Sequence, residues 1–289
     1  MDRGPRPDPD HLTSEGRFQG PSTAHPFGTD EVGRDVFSRI LHGGRLSLGM
    51  ALSATVGITI VGIALGLASV FYGRLAETVI MRTVDVLLAL PTLILALVIV
   101  GLLGQGLRNL IITIILVQWP RYARLVRGMA LKVRAAEFVE AGRAAGAGRI
   151  RLIVRHILPN LIGPVVVFST VDMGATLLAV SGLSFLGFGV APPTPEWGAM
   201  LSEARFQIDR APLLLVFPGA AISMVVLAFN LAGDGLRDLL DPRTQALPPK
   251  RRFLHRSPGS GEADAKALAD TAAVAADPLV KPAAATGPP

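Results

Sequence analysis

Long runs of apolar residues without a charged side chain dominate the chain. Three of them cover residues 46–73, 86–107 and 211–233, which are 28, 22 and 23 residues long. A helix of about 20 residues crosses the hydrocarbon core of a bilayer. Helices also satisfy their own backbone hydrogen bonds, as hydrocarbon requires. The pattern therefore predicts an all-α, polytopic membrane bundle.

Two further spans follow from weaker patterns. Residues 109–120 are uncharged over only 12 residues, about 18 Å of helix. This span must therefore continue past Arg121 and Arg124, whose long side chains we expect to reach the headgroups. Residues 157–182 are long enough but include Asp172. We predict five transmembrane helices, at about residues 46–71, 82–103, 107–127, 160–182 and 211–233.

The distribution of basic residues predicts the orientation of these helices. Between Arg121 and Arg155 lie nine Lys or Arg against two acids, and short basic loops stay in the cytoplasm. Residues 74–82 and the chain after residue 233 then also lie inside, and residues 190–210 lie outside. An odd number of spans places the amino terminus outside, although its first 20 residues lack the apolar core of a signal peptide.

Composition narrows the function further. Half of the residues are hydrophobic and 17% are charged, with a mean hydropathy of +0.48, which is too apolar for a typical soluble domain. The chain has no cysteine, which excludes disulfides, thiolate metal sites and cysteine nucleophiles. The net charge of +6 is concentrated in one loop and after the last span, so topology accounts for it better than nucleic-acid binding does.

The basic loop itself has a helical pattern. Residues 133–145 are mostly helix formers, with small residues and Phe138 recurring on one face. Gly146 and Gly148 are expected to end this helix, because glycine tolerates a left-handed conformation. A second amphipathic segment covers residues 150–158, and Pro159 opens the next span. Two interpretations are equally supported: a structure that a soluble partner grips, or an interfacial segment resting on headgroups.

Several strings in the sequence resemble one family. The string Glu140-Ala141-Gly142, followed by Gly146 and by Ile157-Leu158-Pro159, resembles the EAA loop of ABC importer permeases, which docks on the ATPase subunit. Other strings resemble the second (C-type) permease subunit of the dipeptide/oligopeptide/nickel branch. They are HPFGTDEVGRD at 25–35, LSFLGFG at 183–189, PPTPEWG at 192–198, and GDGLRD with DPR at 233–243. The resemblance covers about residues 25–243.

The resemblance implies a type I ABC importer permease fold in the inner (plasma) membrane. It implies a permease subunit that imports peptides or related small solutes by alternating access. The implied partners are a second permease subunit in a heterodimer, two cytoplasmic ATPase subunits and an extracytoplasmic solute-binding protein. ATP would be bound by the ATPases, because this chain has no G-x-x-x-x-G-K-[ST] phosphate loop; no cofactor, metal site or catalytic residue is expected here. The implied coupling residues are Glu140, Ala141, Gly142, Gly146, Ile157 and Pro159.

The expected organisation has three parts. Residues 1–44 form an extracytoplasmic segment, residues 45–243 form the transmembrane domain with a coupling loop at 128–158, and residues 244–289 form a disordered cytoplasmic tail. Members of the family usually have six spans, the first of which precedes the HPFGTD string. Only 24 residues precede that string here, so we expect either a shortened start or the loss of that helix. Gly142 also replaces the second alanine of the EAA triplet and weakens the helix by up to about 1 kcal/mol.

Asp172 lies at membrane depth, where a carboxylate is a functional candidate. We expect it to be a paired or protonated structural residue, with a place on the translocation path as the other option. An intramembrane aspartyl protease would pair it with Asp234. However, Asp234 lies at the cytoplasmic end of its span, and the string LAGD lacks the first glycine of a GxGD motif. An ATP-independent channel is a third alternative, distinguished by whether transport requires ATPases.

Two polar segments outside the spans have simpler interpretations. The acids Asp30, Glu31 and Asp35 lack the spacing of a metal site, so we predict a structured turn. The PPTPEWG string predicts an extracytoplasmic loop with Trp197 at the membrane interface.

The five-span interpretation makes a topological prediction. In sealed vesicles, a protease site at residue 10 should lie outside and one at residue 260 inside. Finding both sites on the same side of the membrane would contradict five spans. It would favour six spans, a re-entrant segment, or the loss of one of the two weaker spans.

Overall fold

The computed structural model describes residues 16–240, and in that part the chain forms helices and no β-strand. The α-helices are α1 (Val36–Phe71), α2 (Arg74–Ala89), α3 (Thr92–Leu103), α4 (Leu107–Arg134), α5 (Glu137–Ala144), α6 (Arg149–Leu152), α7 (Leu158–Leu183), α8 (Trp197–Ala204) and α9 (Leu213–Leu240). Turns of π-helix at Ile153–Ile157 and Ser184–Phe188 flank α7, and a 3₁₀ turn at Arg205–Gln207 follows α8. The tail predicted at residues 244–289 lies outside the described residues.

The bundle has two recognisable ends. The loop end carries residues 135–157, which pack against the last turns of α1 and α4. The far end carries residues 16–35 and α8, which pack around the first turns of α1. Helices α1 and α4 run from the far end to the loop end, and α7 returns.

Helices α1 and α4 pack through glycines that bring their backbones together. A Cβ added at Gly62 would lie 2.3 Å from the Cβ of Tyr122, and one added at Gly66 would lie 2.8 Å from the carbonyl oxygen of Ala123. These glycines are four residues apart and share one face of α1. Small residues at this spacing allow close helix contact in membranes, where no hydrophobic force holds helices together.

Helices α7 and α9 pack in the same way. A Cβ at Gly233 would lie 2.3 Å from a γ-carbon of Val171, and one at Gly174 would lie 3.4 Å from the backbone oxygen of Val226. The glycines belong to opposite helices, so each backbone approaches the other at a different level. The bundle therefore contains two glycine-packed helix pairs, α1 with α4 and α7 with α9.

Residues 16–35 form a structured turn fixed by acids, as predicted. Asp35 caps α1 by accepting from the Ser38 N–H at 2.7 Å. Asp30 accepts from the Arg34 Nε at 2.6 Å and from Arg39 at 3.0 Å, and Arg39 also pairs with Glu203 of α8 at 3.0 Å. Burial raises the pKa of the Glu203 carboxyl, although Arg39 and Arg34 oppose the shift. The turn is thus tied to α8 by charges.

The Trp197 side chain is buried inside the protein and is not exposed to headgroups, as an interfacial tryptophan would be. It is 5% exposed and donates its indole N–H to the Ile40 carbonyl at 2.9 Å, because the segment before α8 folds onto α1. Glu196, which the sequence analysis did not single out, is fully buried. It accepts from the Ser47 hydroxyl at 2.9 Å and caps α8 by accepting from the Gly198 and Ala199 amides.

The described residues confirm the fold class but not five straight spans. Helix α1, the continuous helical segment from Arg149 to Phe188, and α9 are long and apolar enough to cross a membrane. Helices α2 and α3 reach that standard only as a pair, bent by 100° next to Pro91. The span predicted at 82–103 is thus not one continuous helix, because proline disfavours helix in the residue before it. Helix α4 has the length, at 28 residues, but carries arginines throughout its second half.

The α1–α4 contact predicts the effect of a single methyl group. Gly62→Ala should lower the stability of the purified protein by about 1–3 kcal/mol, because the new Cβ meets Tyr122. Gly49→Ala is the matched control on the same helix, since nothing lies within 4 Å of its Cβ, and it should be neutral or slightly stabilising. Thermal unfolding in detergent measures both. Equal midpoints for the two variants would contradict the close contact.

Candidate functional site

The loop at residues 135–157 begins with a short helix that starts later than predicted. Val133 belongs to the last turns of α4, and the chain breaks at Ala135 and Ala136 before α5 begins at Glu137. The predicted start at residue 133 is therefore wrong. The 128–158 segment is thus the end of one long helix followed by a separate short one.

The predicted glycine stop is confirmed. Gly146 has a φ of +80°, its N–H donates to the Arg143 carbonyl at 3.0 Å, and the Ala147 N–H donates to the Gly142 carbonyl at 3.1 Å. These two bonds form a Schellman motif, which satisfies carbonyls at the end of a helix. No atom lies within 4 Å of a Cβ added at Gly146, so strain there would come from the backbone angle and not from a clash within the chain.

The loop is anchored to the bundle by buried aliphatic side chains. Val139 of α5 and Ile157 are fully buried, and Leu152 is nearly so. They pack in one cluster with Val70 and Phe71 at the end of α1. Ile157 was predicted as a docking residue, but its side chain is inside this cluster. Its position therefore allows it to support the loop and not to contact a partner.

Gly142 lies where the two arms of the loop meet, the first arm being α5 and the second being residues 149–157. A Cβ at this position would be 3.2 Å from Leu152 and 3.6 Å from the Nε2 of His156. Alanine there would require Leu152 to shift by a few tenths of an ångström. The departure from the usual EAA triplet thus coincides with a close approach of the two arms.

The second arm is not a separate helix. Arg149–Leu152, the π-helical turn Ile153–Ile157 and α7 follow one another without a break. Pro159 lies in the first turn of α7, and because helix precedes it, its missing N–H leaves a carbonyl of the π-helical turn without that donor. The predicted boundary at Pro159 therefore marks a change of helix type and not a turn.

One face of the loop is left exposed. Glu140, Ala141 and Gly146 are exposed, as is Phe138 at 47%. Within residues 16–240, the Glu140 carboxylate has neither a hydrogen-bond nor an ion-pair partner. A groove of about 640 Å³ lies beside this face. Its lining combines aromatic, aliphatic and basic side chains: Phe71, Tyr72, Arg149, Ile150 and Arg151.

Asp172 lies in a polar layer that joins three helices. It is 5% exposed, accepts from the Tyr122 hydroxyl of α4 at 3.0 Å and lies 3.4 Å from Arg121. In the same layer the hydroxyls of Thr59 in α1 and Ser169 in α7 are 3.0 Å apart. Thr59 and Tyr122 are each 12 residues from the last residue of their helix, about 18 Å from the loop end.

The polar layer continues one helical turn toward the far end. Three buried side-chain oxygens there have no hydrogen-bond partner among the described residues. They belong to Thr55, Gln118 and Thr176, each four residues from Thr59, Tyr122 and Asp172 respectively. Residues at this spacing share a helix face. Polar side chains therefore occupy two successive turns of α1, α4 and α7.

The arginines of α4 pair with acids of neighbouring helices. Arg121 pairs with Asp172 of α7, and Arg124 pairs with Asp85 of α2 at 2.6 Å. The sequence predicted that these two side chains reach the headgroups; in the structure each has an acid of a neighbouring helix as its partner. Arg127 also pairs with Glu77 of α2.

The geometry does not favour an acid dyad of Asp172 and Asp234. Asp234 is exposed on α9, whereas Asp172 is buried and already engaged by Tyr122 and Arg121. Among residues 16–240 there is also no group of three His, Cys, Asp or Glu that could hold a metal ion.

Most of the polar layer was not predicted from the sequence. Asp172 was predicted, but neither Tyr122 nor the pair of Thr59 and Ser169 was. Isolated polar residues at four-residue spacing within apolar runs were the available signal, seen at residues 55 and 59 and at 172 and 176.

A bundle of long apolar helices, with charges paired between helices and a helical loop exposed at one end, defines a polytopic helical membrane protein. The chain belongs to the family of binding-protein-dependent transport system inner membrane components, whose model matches residues 58–246.

Two curated relatives illustrate the match. The chain is 46% identical over 230 residues to the dipeptide transport system permease protein DppC of Alkalihalophilus pseudofirmus, covering 80% of this chain and 76% of that protein. It is 43% identical over 228 residues to the glutathione transport system permease protein GsiD of Pectobacterium atrosepticum, covering 79% and 76%.

A solved structure shares the fold. An inward-facing structure of the MetNI methionine ABC transporter matches with a TM-score of 0.59 at 18% identity, covering 71% of this chain and 98% of that one. The protein is thus a transmembrane permease subunit of an ABC importer in the inner membrane, not itself an enzyme. Its family implies an ATPase and a binding protein as partners.

The polar layer predicts the effect of removing one charge. Asp172→Asn should preserve the fold and retain a measurable share of uptake, because the amide oxygen can still accept from Tyr122. Membrane abundance, ATPase co-purification and uptake measure the outcome. Complete loss of uptake at normal abundance and ATPase association would contradict a structural role for Asp172.

Proposed function

We propose that this chain is the C-type permease subunit of an ATP-driven importer of peptides or related small solutes. It would pair with a second, non-identical permease subunit and carry two ATPase subunits on the cytoplasmic side, with no cofactor of its own. The exposed Glu140–Gly146 face, held on a loop that is anchored in the core, is the observation that carries this proposal.

The structure supports this face as the ATPase-docking surface in three ways. Val139 points into the core on the opposite side of α5, which fixes the exposed side. The Glu140 carboxylate has no partner in the described part of the chain, so a donor on another protein can engage it in a charge-assisted hydrogen bond. The Schellman turn at Gly146 presents backbone without a side chain.

Two continuous helices offer a path for mechanical coupling. Helix α4 runs from the loop to Tyr122, and α7 runs from the loop to Asp172. Movement of the loop by the ATPases would therefore shift α4 and α7 directly. Alternating access then follows if this shift exchanges inward-open and outward-open arrangements of the two permease subunits.

The substrate class rests on the relatives. Relatives are named as permeases for dipeptides, for di/tripeptides and for glutathione. All of these solutes carry at least one free carboxylate. We therefore propose a short peptide or peptide-like solute as the cargo.

Reconstitution tests the proposed function directly. The complex of both permeases and both ATPases, in proteoliposomes with its binding protein, should accumulate a dipeptide only when ATP is supplied. Peptide flux through the permeases without ATPases or ATP would favour the alternative of an ATP-independent channel. Absence of peptide uptake with intact ATPase activity would contradict the substrate class.

The same substitution, glycine to aspartate, made at two positions of the loop tests the docking surface. Gly146→Asp should leave the permease inserted and abundant but weaken ATPase association and abolish uptake, because it places a charged side chain on the exposed turn. Gly148→Asp is the matched control, since Gly148 has a φ of −68° at the N-cap of α6, where aspartate is favoured. Glu140→Ala should have the effect of Gly146→Asp in milder form.

Co-purification of the ATPase measures the docking effect, alongside uptake. Wild-type ATPase yield and uptake with Gly146→Asp would show that the loop is only an interfacial segment. Equal losses in both aspartate variants would point to added negative charge and not to the Gly146 turn.

A further inference from the structure

We propose that Arg121 is a substrate-positioning residue on the translocation path, where its guanidinium engages the carboxylate of the passing peptide. The inference rests on the proposed function and deepens it, because it assigns the part of the solute that the membrane domain recognises. Asp172 has the role of holding Arg121 in place and balancing its charge between substrates.

Arg121 lies in the middle of α4, at the level of the buried polar layer. It lies 14 residues after the start of α4 and 13 before its end, about 20 Å from either end of the helix. Its neighbour Tyr122 and its partner Asp172 are both buried in that layer. A cation at this depth faces the interior of a bundle or a water-filled cavity, because hydrocarbon does not solvate it.

The environment of Arg121 is open on one side and fixed on the other. Its side chain is 48% exposed, whereas that of Asp172 is 5% exposed. Asp172 is itself fixed by the Tyr122 hydroxyl at 3.0 Å. The carboxylate therefore holds one edge of the guanidinium from within the bundle, and about half of the Arg121 side chain is left exposed.

The contact with Asp172 leaves donors available. Nη2 of Arg121 lies 3.4 Å from Asp172, which is longer than the usual 2.7–2.9 Å of a charge-assisted hydrogen bond. It is the one ionic or hydrogen-bonding contact of this side chain among residues 16–240. A guanidinium has five N–H donors arranged for bidentate binding of a carboxylate. Arg121 can thus bind a second carboxylate while keeping the first.

The balance of charge between Arg121 and Asp172 suits a site that binds a solute briefly and then releases it. Asp172 neutralises Arg121 when no solute is present, so the path does not carry an isolated positive charge. The arriving carboxylate gains hydrogen bonds but competes with Asp172 for the same cation. Binding is then weak enough for release, as a translocation site requires.

Arg124 provides a contrast on the same helix. It is 54% exposed, comparable to Arg121, but pairs at 2.6 Å with Asp85 of α2, which is itself 56% exposed. Arg124 therefore has a short, direct contact with an acid that no buried residue fixes. Removing its charge should perturb the α2–α4 contact without changing recognition of the solute.

The test compares one dipeptide as its free acid and as its C-terminal amide. Uptake of both is measured in proteoliposomes containing the full complex and its binding protein, for wild type, Arg121→Gln and Arg124→Gln. For each substrate the result is the ratio of variant to wild type, which cancels any preference of the binding protein. Arg121→Gln should reduce acid uptake roughly tenfold or more and amide uptake much less.

The control and a second variant complete the experiment. Arg124→Gln should change acid and amide uptake by the same factor. Arg121→Lys keeps the positive charge but not the bidentate geometry, so it should show a smaller acid-selective loss of about threefold. It also provides the decisive measurement if Arg121→Gln lowers membrane abundance.

The outcomes separate this inference from the proposed function. If the wild-type complex imports no peptide, the proposed function fails. If it imports peptide and both Arg121 variants reduce acid and amide equally, Arg121 has only a structural role and the inference is overturned. An acid-selective loss that appears equally in Arg124→Gln would also overturn it, because recognition would then not be specific to Arg121.

Discussion

Hydrocarbon cannot solvate a polar group, so each polar side chain inside a membrane must find its partner within the protein. The bundle is arranged around this requirement at Asp172. Tyr122 and Arg121 of α4 approach it from one side, while Thr59 of α1 and Ser169 of α7 are joined in the same layer. The registers of three helices are thereby fixed against one another, because a shift of one residue would separate all of these partners.

The loop end follows from the same arrangement. Since α4 and α7 are aligned at Tyr122 and Asp172, the positions at which they leave the bundle are also set. The 135–157 loop only has to connect them, and Val139, Leu152 and Ile157 attach it to the end of α1. A rigid attachment of this kind allows a short helix to transmit force, whereas a loop resting on headgroups would absorb it.

Features that depend on local pattern could be predicted from the sequence. Charge-free runs gave the long helices α1, α7 and α9, and the Gly146 turn followed from glycine chemistry. Features that depend on tertiary contact were missed. Arg121 and Arg124 were expected at headgroups because no sequence pattern shows that Asp172 and Asp85 are nearby. The burial of Trp197 was missed for the same reason, since its partner Ile40 is 157 positions away in sequence. The bend had a local signal in Pro91 itself, but the charge-free run around this proline predicted a single span.

The glycine contacts divide the bundle into parts that can and cannot slide. The backbone at Gly62 lies directly against Tyr122, and the backbone at Gly233 lies directly against Val171. The helices of each pair therefore cannot move relative to one another without losing this packing. The α1–α4 pair contacts the α7–α9 pair differently. Hydrogen bonds from the side chains of Thr59 and Tyr122 contribute to that contact. A relative movement there is possible only if each of these groups exchanges one hydrogen-bond partner for another, because a buried group left unpaired costs free energy. The molecule therefore consists of two tightly packed helix pairs, α1 with α4 and α7 with α9. The polar layer holds these two pairs together where they meet.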